Sequence, residues 1–445
     1  MRADSLLREV LGYPKTVVED VWFDRSGQVV VSVRPVAREQ RRCGLCGRRS
    51  PGYDRGRAGR RRWRGLDLSA AVMWLEAGVV RVNCRLHGVV AARVPWARHG
   101  ARHTREFDDQ VAWLAVKTSK SAVCELMRIQ WRTVGAIIAR VVADIDAVTD
   151  RLEGLRRIGI DEISYRRGQL FLVVVVDHDS GRLVWAAPGR SEATVQAFFD
   201  ALGPDRCAKI THVSADGASY IANAVTKNCP DAVQGVDPFH VVKWANRALT
   251  EVRAQAWREA RAAAATEHKQ AHGRPRKDAT APDRSASDRA RQLKNSRSAL
   301  WKNPENLTTK QKAKLEWIQL NDPKLYLAWQ LKEGLRLTFK LPATQAEAAL
   351  DHWINTARDC QIPAFVKLQR SITTYKNAIL TAISHSLSNG RTESVNTKIR
   401  LYTRIAFGFH GPEPLIAIAM LALGGHPPTH PPQPNLTHTN DRRAE

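Results

Sequence analysis

Apolar and polar positions alternate through VWFDRSGQVVVSV, residues 21–33, with Ser26-Gly27 between the two halves. A period of two interrupted by a polar residue and a glycine predicts a β-hairpin over 15–35. A second β-like stretch, AAVMWLEAGVVRVNC, covers 70–84, so the opening region reads as a small β-rich module. From 104 to 148 the apolar period lengthens to that of helices. TREFDDQVAWLAVKT starts at the N-cap candidate Thr104, and SKSAVCELMRI offers Ser121 with Glu125, one residue out of capping-box register. IQWRTVGAIIARVVADI then resumes the helical period, with Arg132 near its start as a candidate DNA contact. Helices around a short turn predict a helix-turn-helix, with a plain three-helix bundle as the alternative.

Beyond 156 the pattern becomes α/β. RIGIDEI, QLFLVVVVDHDSG and RLVWAAPG read as three strands, the last two joined at Asp179-Ser180-Gly181. Then follow a helix (SEATVQAFFDAL), a strand (KITHVSADG), a helix (ASYIANAVTKN), a strand (DAVQGVD) and a helix (PFHVVKWANRAL). A three-strand meander followed by helix–strand–helix–strand–helix is the order of an RNase H-like fold. Residues 252–300 are rich in Ala, Arg, Lys and Ser and contain HGRPRKDATAPDRSASDR, expected to be a mobile basic loop. Helices dominate 305–385: Thr308 with Gln311 and Thr344 with Glu347 fit capping boxes, and Asp322-Pro323 fits an N-cap followed by Pro. Trp317, Trp329 and Trp353 are expected in the helical core. The expected class is multidomain α/β: a β-rich module over 1–100, a helix-turn-helix over 101–152, an RNase H-like core over 153–250 and 385–424, an all-α insertion over 251–384, and a disordered Pro-rich tail over 425–445.

The charge narrows the function. Lys and Arg total 69 against 44 acidic residues, a net charge of +25 in 445 residues. Such an excess meets a polyanion, and DNA is the expected partner; an anionic membrane surface or no ligand at all are the alternatives. No membrane span is expected, because the longest apolar runs, FLVVVV (171–176) and LIAIAMLAL (415–423), fall short of the ~20 residues one needs. The N-terminus lacks the apolar core of a signal peptide, and seven cysteines argue against a disulfide scaffold. The expected compartment is a reducing cytoplasm.

Two pairs of metal-ligand type stand out. Cys43-Gly-Leu-Cys46 and Cys84-Arg-Leu-His87 supply four soft or borderline donors, the set a closed structural zinc site requires. Unrelated buried thiols are the competing reading, and that reading is preferred for Cys124, Cys207, Cys229 and Cys360. Between the pairs lies DRGRAGRRRWRG (54–65), whose Arg60, Arg61, Arg62 and Arg64 suit phosphate contacts or a solvated arm.

Phosphodiester cutting with two magnesium ions needs carboxylates converging from separate segments. Asp161 interrupts the apolar strand IGIDEIS, where an ionised group is costly unless paired or metal-bound. Asp216 ends a strand just before Gly217, where α/β folds place ligands. Glu393 lies on a predicted helix, SNGRTESVNTKIRLYTR, with Asn396, Thr397, Arg400 and Arg404 on its face by helical spacing. Rival acids have local explanations: Glu162 points to the opposite strand face, Asp177 and Asp179 flank a turn, and Asp237 suits an N-cap. The D…D…E spacing alone carries little weight.

The motifs IGIDEISYRRGQLFLVVVVDHDSGRLVWAAPGRS, VSADGASYIANAV, VDPFHVVKWANRAL, LWKNPENLT and SNGRTESVNTKIRLYTRIAFGFHG, in this order, resemble the ISL-three family of insertion-sequence transposases. The resemblance runs from the Cys43 pair to about residue 411. It implies an N-terminal zinc-binding domain, a helix-turn-helix, and an RNase H-like DDE domain with a helical insertion. Asp161, Asp216 and Glu393 would be its catalytic carboxylates, with two Mg2+ ions, and Arg400 the basic residue two turns after the Glu. Asp237-Pro-Phe-His240 looks like the element that follows the second Asp in several DDE families, with His240 positioning DNA or structure rather than binding metal. His87 departs from the fourth Cys the family leads one to expect. The implied activity is binding of the terminal inverted repeats, magnesium-dependent cleavage and strand transfer into target DNA by a homodimer or higher oligomer. A non-cutting repressor or domesticated transposase, and a structure-specific nuclease on the same fold, remain as rivals.

Overall fold

The computed structural model describes residues 11–55, 59–166, 168, 170–215, 218–270, 285–385, 387, 389–406, 408, 409 and 411–428. Asp216, the centre of the basic loop (271–284) and the tail beyond 428 lie outside the described residues. The chain forms two compact units: one up to Arg151 together with the residues from Lys398 on, the other Leu152–Thr397.

In the first unit, β1 (Thr16–Phe23), β2 (Val29–Pro35), β3 (Gly52–Asp54), β4 (Arg60–Arg64), β5 (Met73–Gly78), β6 (Arg81–Cys84) and β7 (Gly88–Ala91) make two sheets, β1-β2-β5-β4 and β3-β6-β7. The expected hairpin is β1–β2, closed by Gly27, whose φ of +71° suits a residue without a side chain. Val29, Val31 and Val33 of β2 pack with Trp63, Leu75 and Trp96 into one core. Three helices follow: α1 (Arg105–Lys117), α2 (Lys120–Met127) and α3 (Trp131–Asp146). Thr104 caps α1 by accepting from the Phe107 N–H. Ser119, not Ser121, caps α2, accepting from Ala122, because the helix begins two residues earlier than expected. Arg128, with φ of 54°, turns the chain between α2 and α3. Val134, Ile137, Ile138 and Val141 form the buried stripe of α3. The apolar helix Pro412–Leu423 packs on α1 and α3 and so belongs to this unit.

The second unit contains β8 (Arg157–Arg166), β9 (Leu170–Asp177), β10 (Leu183–Pro188), α4 (Glu192–Leu202), α5 (Pro204–Cys207), β11 (His212–Ala215), α6 (Ser219–Asn228), β12 (Val233–Val236) and α7 (Pro238–Gln270). The sheet runs β10-β9-β8-β11-β12. Its first three strands are antiparallel, and β11 is parallel to both β8 and β12. Ile158, Ile160, Val173 and Val175 face Phe198, Phe199, Ile221 and Val225 of α4 and α6. The period of two therefore sends Gly159 and Asp161 to the other face.

Next come α8 (Ser285–Lys294), α9 (Arg297–Trp301), α10 (Thr309–Asn321), α11 (Pro323–Thr338), α12 (Ala343–Asp359), α13 (Pro363–Thr374) and α14 (Lys376–Ser384), which share a core with α7 around Trp353. Trp317 and Trp329 pack against that core, as expected. Thr308 and Gln311 form the expected capping box, and Asp322 caps α11. Thr344 caps nothing: Pro342 is the N-cap of α12, so helical geometry has begun before the threonine. The helix α15 (Gly390–Ile405) returns to the sheet. Among the described residues no helix is long and apolar enough to cross a membrane.

Candidate active site and metal centre

The Cys43 and Cys84 pairs converge. Cys43 Sγ lies 3.7 Å from His87 Nδ1, Cys46 Sγ 3.7 Å from Cys84 Sγ, and all four ligand atoms lie within 4.8 Å of one another. Tetrahedral ligands about 2.3 Å from one ion sit about 3.7 Å apart, so the spacing suits zinc. The backbone shapes the cradle: a Cβ on Gly44 would lie 2.5 Å from Ala91 O, too close for any other residue, and Gly47 has φ of +71°. The Leu86 N–H, and then the His87 imidazole, draw the Cys84 thiol down to about 6, toward the thiolate that binds metal.

The basic segment is not an arm beside this cluster. Residues 60–64 are β4, an edge strand of the other sheet. Arg60 and Arg62 each donate to Glu76 at 2.8 Å, Arg62 also reaches Asp24, and Arg61 lies over Trp63. Arg64 is buried and paired with Asp67, which corrects its expected role as a phosphate contact. The cause is tertiary: Asp24 and Glu76 are brought to β4 by sheet pairing, which local charge density does not reveal.

Asp161 is 6% exposed on β8. Its Oδ2 accepts from Asn396 Nδ2 at 2.7 Å, across 235 residues of chain, and its Oδ1 accepts from the Glu162 N–H. A hydrogen bond to a charged group contributes about 1.5–3 kcal/mol. Glu393 stands one turn before Asn396 on α15 and is partly buried. Thr392, Val395, Asn396 and Ile399 form the buried stripe of α15, while Arg400 and Arg404 are exposed. Asp216 follows β11 directly but lies outside the described residues.

The rival acids are accounted for. Glu162 accepts from Arg190 at 2.5 Å and Tyr220 at 2.6 Å on the opposite face. Asp177 holds its own turn by accepting from Asp179 and Ser180. Asp237 does more than cap α7: its Oδ1 accepts from the Phe239 and Asn389 N–H groups, and its Oδ2 meets His240 Nδ1 at 3.1 Å. Asn389, immediately before α15, is fully buried; its side chain accepts from Ser214 Oγ, which lies 2.6 Å from His178 Nε2. Burial, then Arg157 and Arg391, hold the His178 imidazole below its usual range. The chain His178–Ser214–Asn389–Asp237 thus ties the ends of β9, β11 and β12 to the start of α15.

Comparison with known proteins decides the family. A model described as "Transposase", for the DDE domain of ISL3 elements, matches residues 158–419, and one described as the helix-turn-helix domain of transposase family ISL3 matches 92–142. The chain belongs to the ISL3 family of transposases. Transposases for insertion sequence element IS1557 from two strains of Mycobacterium tuberculosis, CDC 1551 / Oshkosh and H37Rv, are 57% identical over 98% of this chain and 99% of their own length. The transposase for insertion sequence element IS1001 from Bordetella parapertussis is 27% identical over 72% of this chain and 74% of its own.

For this ISL3 transposase the helix-turn-helix reading takes precedence over the plain bundle. The match covers α1, α2 and most of α3, and Arg132, the second residue of α3, is exposed. Sequence reasoning missed Asn389, Ser214 and His178. Ser214 left one usable signal, a polar residue within the short strand HVSA, fully buried in the fold.

Proposed function

We propose that this DNA transposase cuts the ends of its insertion sequence and joins them to target DNA with Asp161, Asp216 and Glu393 as the catalytic carboxylates. The observation that carries the assignment is the Asn396–Asp161 hydrogen bond, which brings the Glu393 helix to β8 from the far end of the chain. The donors fit hard divalent ions: all three are carboxylates, and Asp161 sits on an apolar strand where an ionised group needs a cation. When bound, two magnesium ions would activate the attacking oxygen and stabilise the leaving 3′ oxygen. The protein's own part is placement: Asn396 orients Asp161, and the Asp237–Asn389 link seats the start of α15. The mixed sheet, three antiparallel strands followed by two parallel ones, supports an RNase H-like core with α8–α14 as an all-α insertion.

Recognition of the terminal inverted repeats is assigned to α2 and α3, with Arg132 as a contact. Arg400 and Arg404 would hold phosphates and His240 would position DNA. A zinc ion on Cys43, Cys46, Cys84 and His87 would be structural, and two or more subunits would hold two ends. The test is incubation with magnesium and labelled element ends. Wild type should give cleaved and joined products, and Asp161→Asn should bind ends without cutting them. An Asp161→Asn protein that still cuts refutes the assignment; binding alone by wild type marks a repressor, and cutting without joining marks a nuclease.

A further inference from the structure

At the start of α7 an aromatic residue and two cations share one exposed stripe. Phe239, Lys243 and Arg247 follow at four-residue steps, about 6 Å of helix each, and all three are exposed. Phe239 is 52% exposed, although it is a large apolar side chain in the compact catalytic unit. Trp301, the other exposed aromatic among the described residues of that unit, is covered by Arg297 at 4.1 Å and tied to Thr250 through Nε1. Phe239 instead meets, among the described residues, an edge contact from the His240 ring, with ring centroids 5.8 Å apart at 88°. Lys243 and Arg247 form no ion pair with a described residue, unlike Arg60, Arg62 and Arg64 of the first unit.

The stripe begins beside the carboxylate strands. Ala215 and Val236 are register partners in the parallel pair β11–β12, and the Asp237 N–H donates to Ala215 O at 3.1 Å. The chain therefore enters α7 next to the point where it leaves β11 for Asp216. The Phe239 N–H is fixed by Asp237 Oδ1, so the ring is carried on a held first turn rather than a loose loop.

We propose that the first three turns of α7 form a track for single-stranded DNA, with Phe239 stacking on an unpaired base and Lys243 and Arg247 binding phosphates of the same strand. A base offers its flat face to a protein ring only when it has left the duplex stack, and that contact tolerates any sequence. A cut in one strand at an element end leaves the duplex paired but lowers the cost for bases beside the nick to leave the stack. The assignment of the carboxylates supplies the source of that cut, but the binding itself does not depend on cleavage.

The test uses the full chain in magnesium-free buffer, with fluorescein-labelled oligo(dT) and a duplex of the same length as separate probes. Phe239→Ala should weaken oligo(dT) binding about tenfold, as the loss of one base stack does, and leave duplex binding unchanged. Phe239→Trp should restore it and quench 2-aminopurine placed in the oligonucleotide. Lys243→Ala with Arg247→Ala should lower the salt slope of oligo(dT) binding by about 1.4, the share of two phosphate contacts on a single strand. Unchanged oligo(dT) binding by Phe239→Ala, or an equal loss on both probes, overturns the proposal. So does a change of oligomeric state in Phe239→Ala with single-strand binding intact, which would make the ring a subunit contact. Failure of Asp161→Asn to lose cleavage would sink the carboxylate assignment without altering these binding results.

Discussion

Replacing Gly159 with alanine tests the packing behind the proposed catalytic centre. Gly159 lies on β8 opposite Ser214 of β11, on the same strand face as Asp161. A Cβ there would fall on Thr392 Oγ1 and lie 2.8 Å from His178 Nε2. Neither neighbour can swing aside freely. Thr392 is fully buried in the first turn of α15, and His178 is held to Ser214 at 2.6 Å. Overpacking of this kind costs about 1–3 kcal/mol, and breaking the His178–Ser214 bond adds about 1 kcal/mol. The sum, about 2–4 kcal/mol, corresponds to a melting temperature roughly 5–12 °C lower for a unit of this size. Thr392 Oγ1 is buried without a hydrogen-bond partner among the described residues, so Thr392→Ala should be nearly neutral by itself. Combined with Gly159→Ala it removes the clash and should recover about half of the loss, a coupling expected of residues in contact. Thermal unfolding followed by circular dichroism reads all four proteins. A Gly159→Ala protein that melts with wild type, or a double variant no more stable than the single, refutes the reasoning. Because Thr392 precedes Glu393, the single variant should also cleave element ends more slowly at temperatures where it is fully folded.

The remaining expectations concern the first unit. Among the described residues the β3-β6-β7 sheet buries a core of just Cys43, Val82 and Cys84, with Val90 and Ala92 partly buried against it, so a zinc ion held there would do what a larger core does elsewhere. Chelation with phenanthroline, or Cys46→Ser, should release about one zinc per chain and expose the β6 and β7 amides to hydrogen exchange, with the α4 and α6 amides unaffected; protection that survives metal loss contradicts this. Burial, and then Arg140 and Arg64, push the His103 imidazole from 6.5 down to about 4. The unfolded chain therefore binds this proton first, so His103 costs nothing above about pH 6.5 and removes up to about 3 kcal/mol as the pH falls to 4. Asp108, pushed upward by burial, works in the opposite direction, so the measurement is the difference between wild type and His103→Gln. Denaturant titrations should show the variant losing less stability over that interval, and parallel curves would count against the assignment.

What was legible in the chain divides by the range of the interaction. The hairpin at Gly27, the caps at Thr104, Thr308 and Asp322, and the two metal-ligand pairs depend on neighbours within a few residues, and spacing reports them directly. Ser121 and Thr344 failed because a cap is defined by where helical geometry starts, and Ser119 and Pro342 start it earlier. Arg60–Arg64 read as a basic loop because their acids, Asp24 and Glu76, are distant in sequence and reach β4 only through sheet pairing. Asn389 is the extreme case. In sequence it is an Asn before a Gly, indistinguishable from a turn residue. In the fold its N–H meets Asp237, 152 residues away, and its side chain meets Ser214, 175 residues away. The carboxylates could be nominated from strand and helix context, because the cost of burying an acid is local. Their support could not, because it consists of ordinary polar residues whose partners exist only once the sheet and α15 have closed on one another. A substitution in that support should therefore look harmless by residue type and prove costly by position.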